Sequence, residues 1–170
     1  MSDSGQKFFY LNLWTSDNIE GGCLKAGHVH WMELDDWDFS MHQQVDSGKK
    51  QGTPGATSAL GTFGFSITHN GPSLFQLAAS TKYHDKNTPC TFEAEVGGLQ
   101  GGITGVFLQI IFKDWVMSSR HLSGDHAVKT EHIELVFGMV DLFYKPVVNG
   151  TLGPATSMAY DISKIAATSA

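Results

Sequence analysis

Two long runs of alternating apolar side chains, at residues 103–117 and 130–145, constrain the fold of this chain more than any other feature. Successive side chains of an extended strand point to opposite faces, so residues two apart share a face. One face of each run carries large apolar residues: Val106, Leu108, Ile110 and Phe112 in the first, and Ile133, Leu135, Phe137 and Met139 in the second. Because a period of two is typical of strands, the sequence predicts a sheet whose inner face these stripes form.

The opposite faces of the same two runs are also apolar in part. The first carries Phe107, Gln109, Ile111, Lys113 and Trp115, and the second carries Glu134, Val136, Gly138, Val140, Leu142 and Tyr144. A sheet face in water should be mostly polar, so we expect these faces to be covered by a helix or by another subunit. Trp115, Leu142 and Tyr144 are therefore candidate interface residues. Both runs exceed the usual strand length, which predicts that they bend or extend beyond the body as ribbons.

Shorter strands are predicted at residues 8–14, 28–41, 62–69, 91–96 and 157–162. The alternation of the second is interrupted at Asp35 and Asp36, which indicates a bulge or a bend. One helix is predicted near residues 72–81, where Pro72 suits the first helical position and apolar residues follow at helical spacing.

Residues 46–61 form the longest predicted loop, since their Gly, Ser, Thr and Lys content supports no core. The last residues, 166–170, are expected to fray. The chain is rich in turns, with 19 glycines, and shows no domain boundary. The sequence therefore predicts one mainly β domain over residues 1–170, a sandwich or barrel.

Charge excludes two classes of partner. The chain has 17 acidic and 11 basic residues, a formal net charge of −6, and no cluster of Lys and Arg. We expect no nucleic-acid partner and no membrane insertion, since polyanions and anionic lipids repel such a surface and no segment is long enough to span a bilayer. The polar N-terminus lacks the features of a signal peptide, which predicts synthesis in the cytoplasm and export only by a signal-independent route.

Histidines are the main hint of metal chemistry. His28 and His30 are two apart on a predicted strand and His42 could join them, which makes the three weak candidates for a metal site. Zinc needs three or four ligands, and no Cys or carboxylate has a spacing that completes the set, so we expect edge or surface histidines and no metal. A second set is expected at a solvated hairpin tip; it consists of His121, His126 and His132.

No catalytic motif is present in the sequence. Cys23 and Cys90 are far apart, and either two free thiols or one long-range disulfide fits them. Neither cysteine has an activating neighbourhood, and the chain has no Gly-x-Ser-x-Gly elbow and no phosphate-binding loop. We therefore expect no catalytic residue and no cofactor.

Six stretches share their order and spacing with one known family. Residues 8–13 resemble its opening strand without the Lys-Ile-Asp-Gly signature, and residues 32–39 resemble its Ile-Glu-Val-Leu-Ser-Phe-Ser-Trp segment. Residues 65–78 resemble its strand, proline and helix. Residues 107–119 and 131–146 resemble its strands Leu-Lys-Asp-Val-x-Val-Ser-Ser and Glu-x-Val-x-Leu-x-Phe…Tyr-x-Pro, and residues 159–162 resemble its closing strand. Over nearly its whole length the chain resembles the haemolysin-coregulated protein (Hcp) family, the tube protein of type VI secretion.

The resemblance implies a compact two-sheet β-barrel with one flanking α-helix and no enzymatic activity. It implies that six copies close head-to-tail into a ring with a central channel, and that rings stack into a tube exported without a signal peptide. The implied partners are further copies of the chain, the sheath, baseplate and spike proteins, and effectors in the channel. It also places the 46–61 loop at contacts between rings or subunits, with candidates at Ser47, Lys49, Lys50 and Thr53.

Two other functions are compatible with the residues. One is a monomeric or dimeric β-barrel module that binds carbohydrate or another ligand. The other is a metal-dependent β-barrel enzyme that uses His28, His30 and His42. The mass of the protein in solution would separate a ring-forming subunit from both.

Overall fold

β-branched and aromatic residues alternate along much of this chain, and in the computed structural model they form strands, as such residues do on a half-buried pleated surface. The structure describes residues 7–13, 21–45, 56–69, 83–124 and 128–162. Ten strands lie in this part: β1 (Lys7–Asn12), β2 (Met32–Leu34), β3 (Asp36–Val45), β4 (Ala56–His69), β5 (Cys90–Val96), β6 (Gly105–Gly124), β7 (Lys129–Tyr144), β8 (Val147–Val148), β9 (Thr151–Leu152) and β10 (Thr156–Asp161).

Most of the strands form one antiparallel sheet in the order β2-β1-β5-β6-β7-β4-β3, with β10 also paired to β7 and β8 paired to β9 as a separate hairpin. β2 and β3 lie at opposite ends of this path, although only Asp35 separates them in the chain. The Asp35 N–H donates a 2.9 Å hydrogen bond to the Ser66 carbonyl of β4. The sheet therefore curls into a half-barrel, and the bend predicted at Asp35 and Asp36 is confirmed.

Aromatic rings from four strands fill the inside of the curl. The ring centroid of Phe63 is 4.6 Å from that of Phe112 and 5.2 Å from that of Phe92. Phe112 in turn lies 4.9 Å from Phe137. All four side chains are buried. Burial of each ring stabilises the fold by about 1.5–3 kcal/mol, and a well-placed ring pair adds about 0.5–1.5 kcal/mol.

Part-way along β6 and β7, the alternation of inward and outward side chains changes phase in each strand. The buried apolar side chains are Ile110, Phe112 and Trp115 in β6, and Ile133, Leu135, Phe137 and Val140 in β7. At the exchange Asp114 has a left-handed backbone conformation (φ 51°), which Asp tolerates better than most residues. The predicted stripes are confirmed for Ile110 and Phe112 in β6 and for Ile133, Leu135 and Phe137 in β7. Trp115 and Val140 were predicted on the outer face and lie inside, because the alternation changes phase at this point.

Two predicted boundaries are corrected. The second strand was predicted from residue 28, but β2 begins only at Met32, because residues 28–31 form turns in which His30 has a φ of 68°. The loop predicted over 46–61 is shorter at its C-terminal end, because β4 begins at Ala56 and its small residues pair with β3. Residues 46–55 lie outside the described part.

The predicted flanking helix falls in residues 70–82, which lie outside the described residues, as does the tail at 166–170. The named elements of the described part are all strands, so the helix is not confirmed. No helix in the part of the chain that the structure describes has the length and apolarity to cross a membrane. β6 and β7 continue to Gly124 and Lys129, and this end of the two strands is called the ribbon. Only the predicted length is confirmed, because β4 pairs with β7 as far as Lys129, and Glu131 and Ile133 of the ribbon are buried.

Candidate functional site

An apolar surface lies at the edge of the sheet where β10 pairs with the end of β7. Residues directly opposite each other in paired antiparallel strands share a face of the sheet. Three such rows cross β6, β7 and β10: Leu108, Tyr144 and Thr156; Ile110, Leu142 and Met158; and Phe112, Val140 and Tyr160. In each row the side chains become more exposed towards β10. The inner face of the sheet therefore extends beyond the hydrophobic core and is exposed to solvent near β10.

The exposed end of these rows is called the edge surface, and it consists of Leu108, Leu142, Tyr144, Met158 and Tyr160. Met158 is 57 % exposed, Tyr160 46 % and Tyr144 45 %, whereas Leu142 packs against the core. Within the described residues β10 pairs on one side only, with β7, and no described strand pairs with its other edge. An open strand edge beside exposed apolar side chains is typical of a contact site.

A buried polar cluster lies on the outer face of β1, β5 and β6. His28 is only 4 % exposed, and its ring stacks on Tyr10 with centroids 4.1 Å apart. Its Nε2 is 2.7 Å from Oε2 of Glu93, and the Gln109 side-chain amide donates a 2.6 Å hydrogen bond to Oε1 of the same carboxylate. These contacts join the segment before β2 to β5 and β6.

A second pair completes this cluster. The Lys25 ammonium donates hydrogen bonds to Glu95 and, over 3.2 Å, to the Tyr10 hydroxyl. Burial lowers the pKa of Lys25, but the hydrogen bonds to Glu95 and Tyr10 outweigh it, so the pKa is raised overall. Burial raises the pKa of Tyr10. The charged side chains of the cluster are held by hydrogen bonds to fixed partners. Such an arrangement is typical of a structural contact, and here it fastens residues 21–31 to the sheet.

An open cleft of about 440 Å³ lies on the outer face of β6, β7, β4 and β3. Two cross-strand rows run along it: His121, His132, Ser66 and Asp36 form the first, and Ser119, Glu134, Gly64 and Asp38 form the second. All of these residues except Ser66 line the cleft. The rings of His121 and His132 are exposed, with centroids 6.4 Å apart. At their present positions, no three His, Cys, Asp or Glu side chains of the described residues are grouped closely enough to hold a metal ion.

The sequence matches one family model over most of its length. The model is described as "Type VI secretion system effector, Hcp", and it matches residues 10–144. The chain belongs to this family. No curated protein matches the sequence.

Solved structures share the fold of this Hcp-family chain. Hcp1 from Salmonella typhimurium is 21% identical with a TM-score of 0.64, and the match covers 93% of this chain and 96% of that one. A structure described as a type six secretion system protein is 16% identical with a TM-score of 0.70, covering 94% and 98%. A type VI secretion system effector from Yersinia pestis is 18% identical with a TM-score of 0.58, covering 91% and 99%. At these identities the likeness shows the fold alone.

The structure separates the predicted interface residues of this Hcp-family chain. Leu142 and Tyr144 lie together in the edge surface. Trp115 lies in the interior instead: it is 2 % exposed, its ring stacks on His84 at 4.0 Å, and its Nε1–H donates to the Thr88 carbonyl over 2.9 Å. Almost none of its surface is therefore available to a partner. The four loop candidates lie outside the described residues; they are Ser47, Lys49, Lys50 and Thr53.

The three histidines of the predicted metal site are not brought onto one strand face. His28 is buried in the polar cluster and so is not an edge or surface residue, His30 lies in a turn, and His42 is exposed on β3. The prediction placed His28 and His30 on a strand, but residues 28–31 turn before β2 begins.

Sequence reasoning missed the polar cluster and the pairing of His121 with His132. The sequence contained one indication of the cluster: Glu93 and Glu95 are two carboxylates on a short strand that is otherwise mostly apolar. The exposed positions of His121 and His132 on the ribbon confirm the prediction for these two residues, and His126 lies outside the described part.

Both cysteines are buried and free, so the structure decides between the two alternatives left by the sequence. Burial raises the pKa of the Cys90 thiol well above its ordinary value of 9.0. Burial also raises the pKa of Cys23. Both thiols are therefore held in the protonated form, which is the unreactive one.

Proposed function

We propose that this chain is a structural subunit of the type VI secretion inner tube. Six copies close head-to-tail into a ring, the rings stack, and the channel carries effectors. Membership of the Hcp family supports the assignment to this secretion system. The single structural observation that supports a contact between copies is the edge surface. There the apolar inner face of the sheet is exposed to solvent.

The edge surface has the chemistry that a contact between copies requires. Burying an exposed side chain such as Met158 or Tyr160 against an apolar partner contributes about 1.5–3 kcal/mol each. The edge of β10 away from β7 can pair its backbone with an extended segment of the next copy. A contact between two different patches is heterologous, and such a contact closes into a ring when its rotation allows.

A tube subunit has further contacts besides the one between neighbouring copies in a ring. The loop residues Ser47, Lys49, Lys50 and Thr53 contribute to contacts between stacked rings or neighbouring copies. The tube meets the sheath, baseplate and spike proteins. The protein is made in the cytoplasm, leaves through the secretion system without a signal peptide, and catalyses no reaction.

Light scattering after size-exclusion chromatography of the untagged protein tests this proposal. We expect a mass near six times 18.5 kDa, with rings visible by negative-stain microscopy. The double variant Met158→Ser/Tyr160→Ser should shift the protein towards monomers, because it removes the exposed apolar side chains of β10. The control Val147→Ser/Val148→Ser changes two exposed residues of β8 outside the edge surface and should keep the wild-type mass. Equal assembly of both double variants would refute the edge surface as the contact.

The ligand-binding alternative rests on a different feature. A cleft of about 380 Å³ lies between β5, β6 and the end of β7, and its lining includes Glu93, Phe107, Gln109 and Phe143. A protein that stays monomeric at high concentration, and whose melting temperature rises with a saccharide, would favour this function. In that case Phe143→Ala should abolish the shift.

A further inference from the structure

Two imidazoles lie directly opposite each other on the ribbon of β6 and β7. His121 pairs with His132 in the antiparallel ladder, the ring planes are inclined by 26°, and the centroids are 6.4 Å apart. Directly opposite side chains have Cβ atoms about 4.5–5.5 Å apart. An ion held by two imidazoles lies about 2.0–2.1 Å from each nitrogen, so small χ rotations of these exposed side chains bring both nitrogens to one ion.

The surroundings of the pair favour a cation. The cleft that holds the two histidines is also lined by the carboxylates of Asp36, Asp38 and Glu134. Glu134 is the next residue after His132 on the same face of β7, about 7 Å along the strand. Its Oε1 accepts a 2.8 Å hydrogen bond from the Ser118 hydroxyl, which holds the carboxylate in place.

We propose that His121 and His132 form a binding site for one divalent transition-metal ion of the zinc, nickel and copper class. Imidazole nitrogen is a preferred ligand of these ions, and water completes the shell. The two rings are the ligands, and the neighbouring carboxylates attract the ion and offset its charge. The site is distinct from the edge surface, and it stands whether or not the chain forms rings.

A bound ion would act on the ribbon itself. It would add a further link between β6 and β7 near their ends, where side-chain contacts of Ser118 with Glu134 and of Arg120 with Glu131 already join the two strands beside the backbone ladder. A ligand that binds only the folded ladder stabilises it by mass action. Metal should therefore raise the melting temperature and slow amide exchange along residues 119–123 and 130–134.

Titration of the untagged, metal-free protein with Zn²⁺ tests the site, with calorimetry for affinity and NMR for the imidazole signals. We expect one Zn²⁺ per chain and shifts in the signals of His121 and His132. His121→Asn or His132→Asn should weaken binding by at least about tenfold, since the loss of even an outer-shell partner of a metal ligand costs about 10–100-fold in affinity. Because bound imidazoles must be neutral, lowering the pH from about 7.5 to about 5 should release the ion.

Two controls keep the result unambiguous. His42→Asn removes an exposed histidine of β3 outside the cleft and should bind Zn²⁺ as the wild type does. Metal-free melting temperatures report whether each variant is folded. Undiminished Zn²⁺ affinity in a folded His121→Asn/His132→Asn variant, or signal shifts confined to other histidines, would overturn the proposal.

Discussion

The ring of Phe137 lies over Gly61, its direct neighbour across β7 and β4. A Cβ atom built on Gly61 would be 2.4 Å from Cε2 of Phe137 and 2.7 Å from Cδ1 of Ile162. Glycine at this position is therefore what allows a core phenyl ring to lie against the backbone of the neighbouring strand.

Gly61→Ala should lower the free energy of unfolding by about 1–3 kcal/mol, because the added methyl group overpacks a closed part of the core. Urea denaturation measures this change. Gly22→Ala is the matched control, since nothing lies within 4 Å of a Cβ built there, and it should change stability by less than about 0.5 kcal/mol. Equal effects of the two substitutions would contradict the packing argument.

Trp115→Phe separates an interior role from an interface role. The variant loses the hydrogen bond to the Thr88 carbonyl and part of the stack on His84. We expect the free energy of unfolding to fall by about 1–3 kcal/mol. Light scattering of the folded variant should give the wild-type mass. If the variant folds but no longer assembles, Trp115 contributes to the contact between subunits after all.

His28→Ala tests the polar cluster on the outer face. The substitution removes a buried ring and leaves the Glu93 carboxylate without its imidazole partner, so unfolding should become easier by about 2–3 kcal/mol. His42→Ala changes an exposed histidine and serves as the control, with an expected effect under about 0.5 kcal/mol. A destabilisation no larger than that of the control would show that the cluster does not anchor residues 21–31.

Stability should fall in alkaline solution. Burial raises the pKa of Cys90 and that of Cys23, so the unfolded chain releases these protons at a lower pH than the folded chain. Their stabilising contribution is complete below the ordinary thiol pKa and is lost as the pH rises above about 8.5–9. Urea unfolding at about pH 7.5, 8.5 and 9.5 measures the slope, and Cys90→Ala should flatten it. A stability that rises over this range in the wild type would refute the expectation.

The class of fold and most of the strands could be predicted from the pattern of residues along the chain. Alternation over residues 103–117 and 130–145 predicted β6 and β7, because a period of two follows from the geometry of one extended strand. The interrupted alternation at Asp35 and Asp36 predicted the bend that lets the sheet curl. Leu142 and Tyr144 were identified as contact candidates from the apolar character of their positions alone.

Which residues contact each other could not be predicted from the sequence and depends on how the strands pair. Asp114, a single residue with a left-handed backbone, lies where the faces of β6 and β7 exchange, and Trp115 is therefore inside. The pairings of His121 with His132 and of Leu142 with Met158 depend on the registers of β6, β7 and β10. The alternation of residues within one strand can be seen in the local sequence. The register between two strands cannot, because it depends on both strands together. A shift of one residue in register moves every side chain of a strand to the opposite face of the sheet.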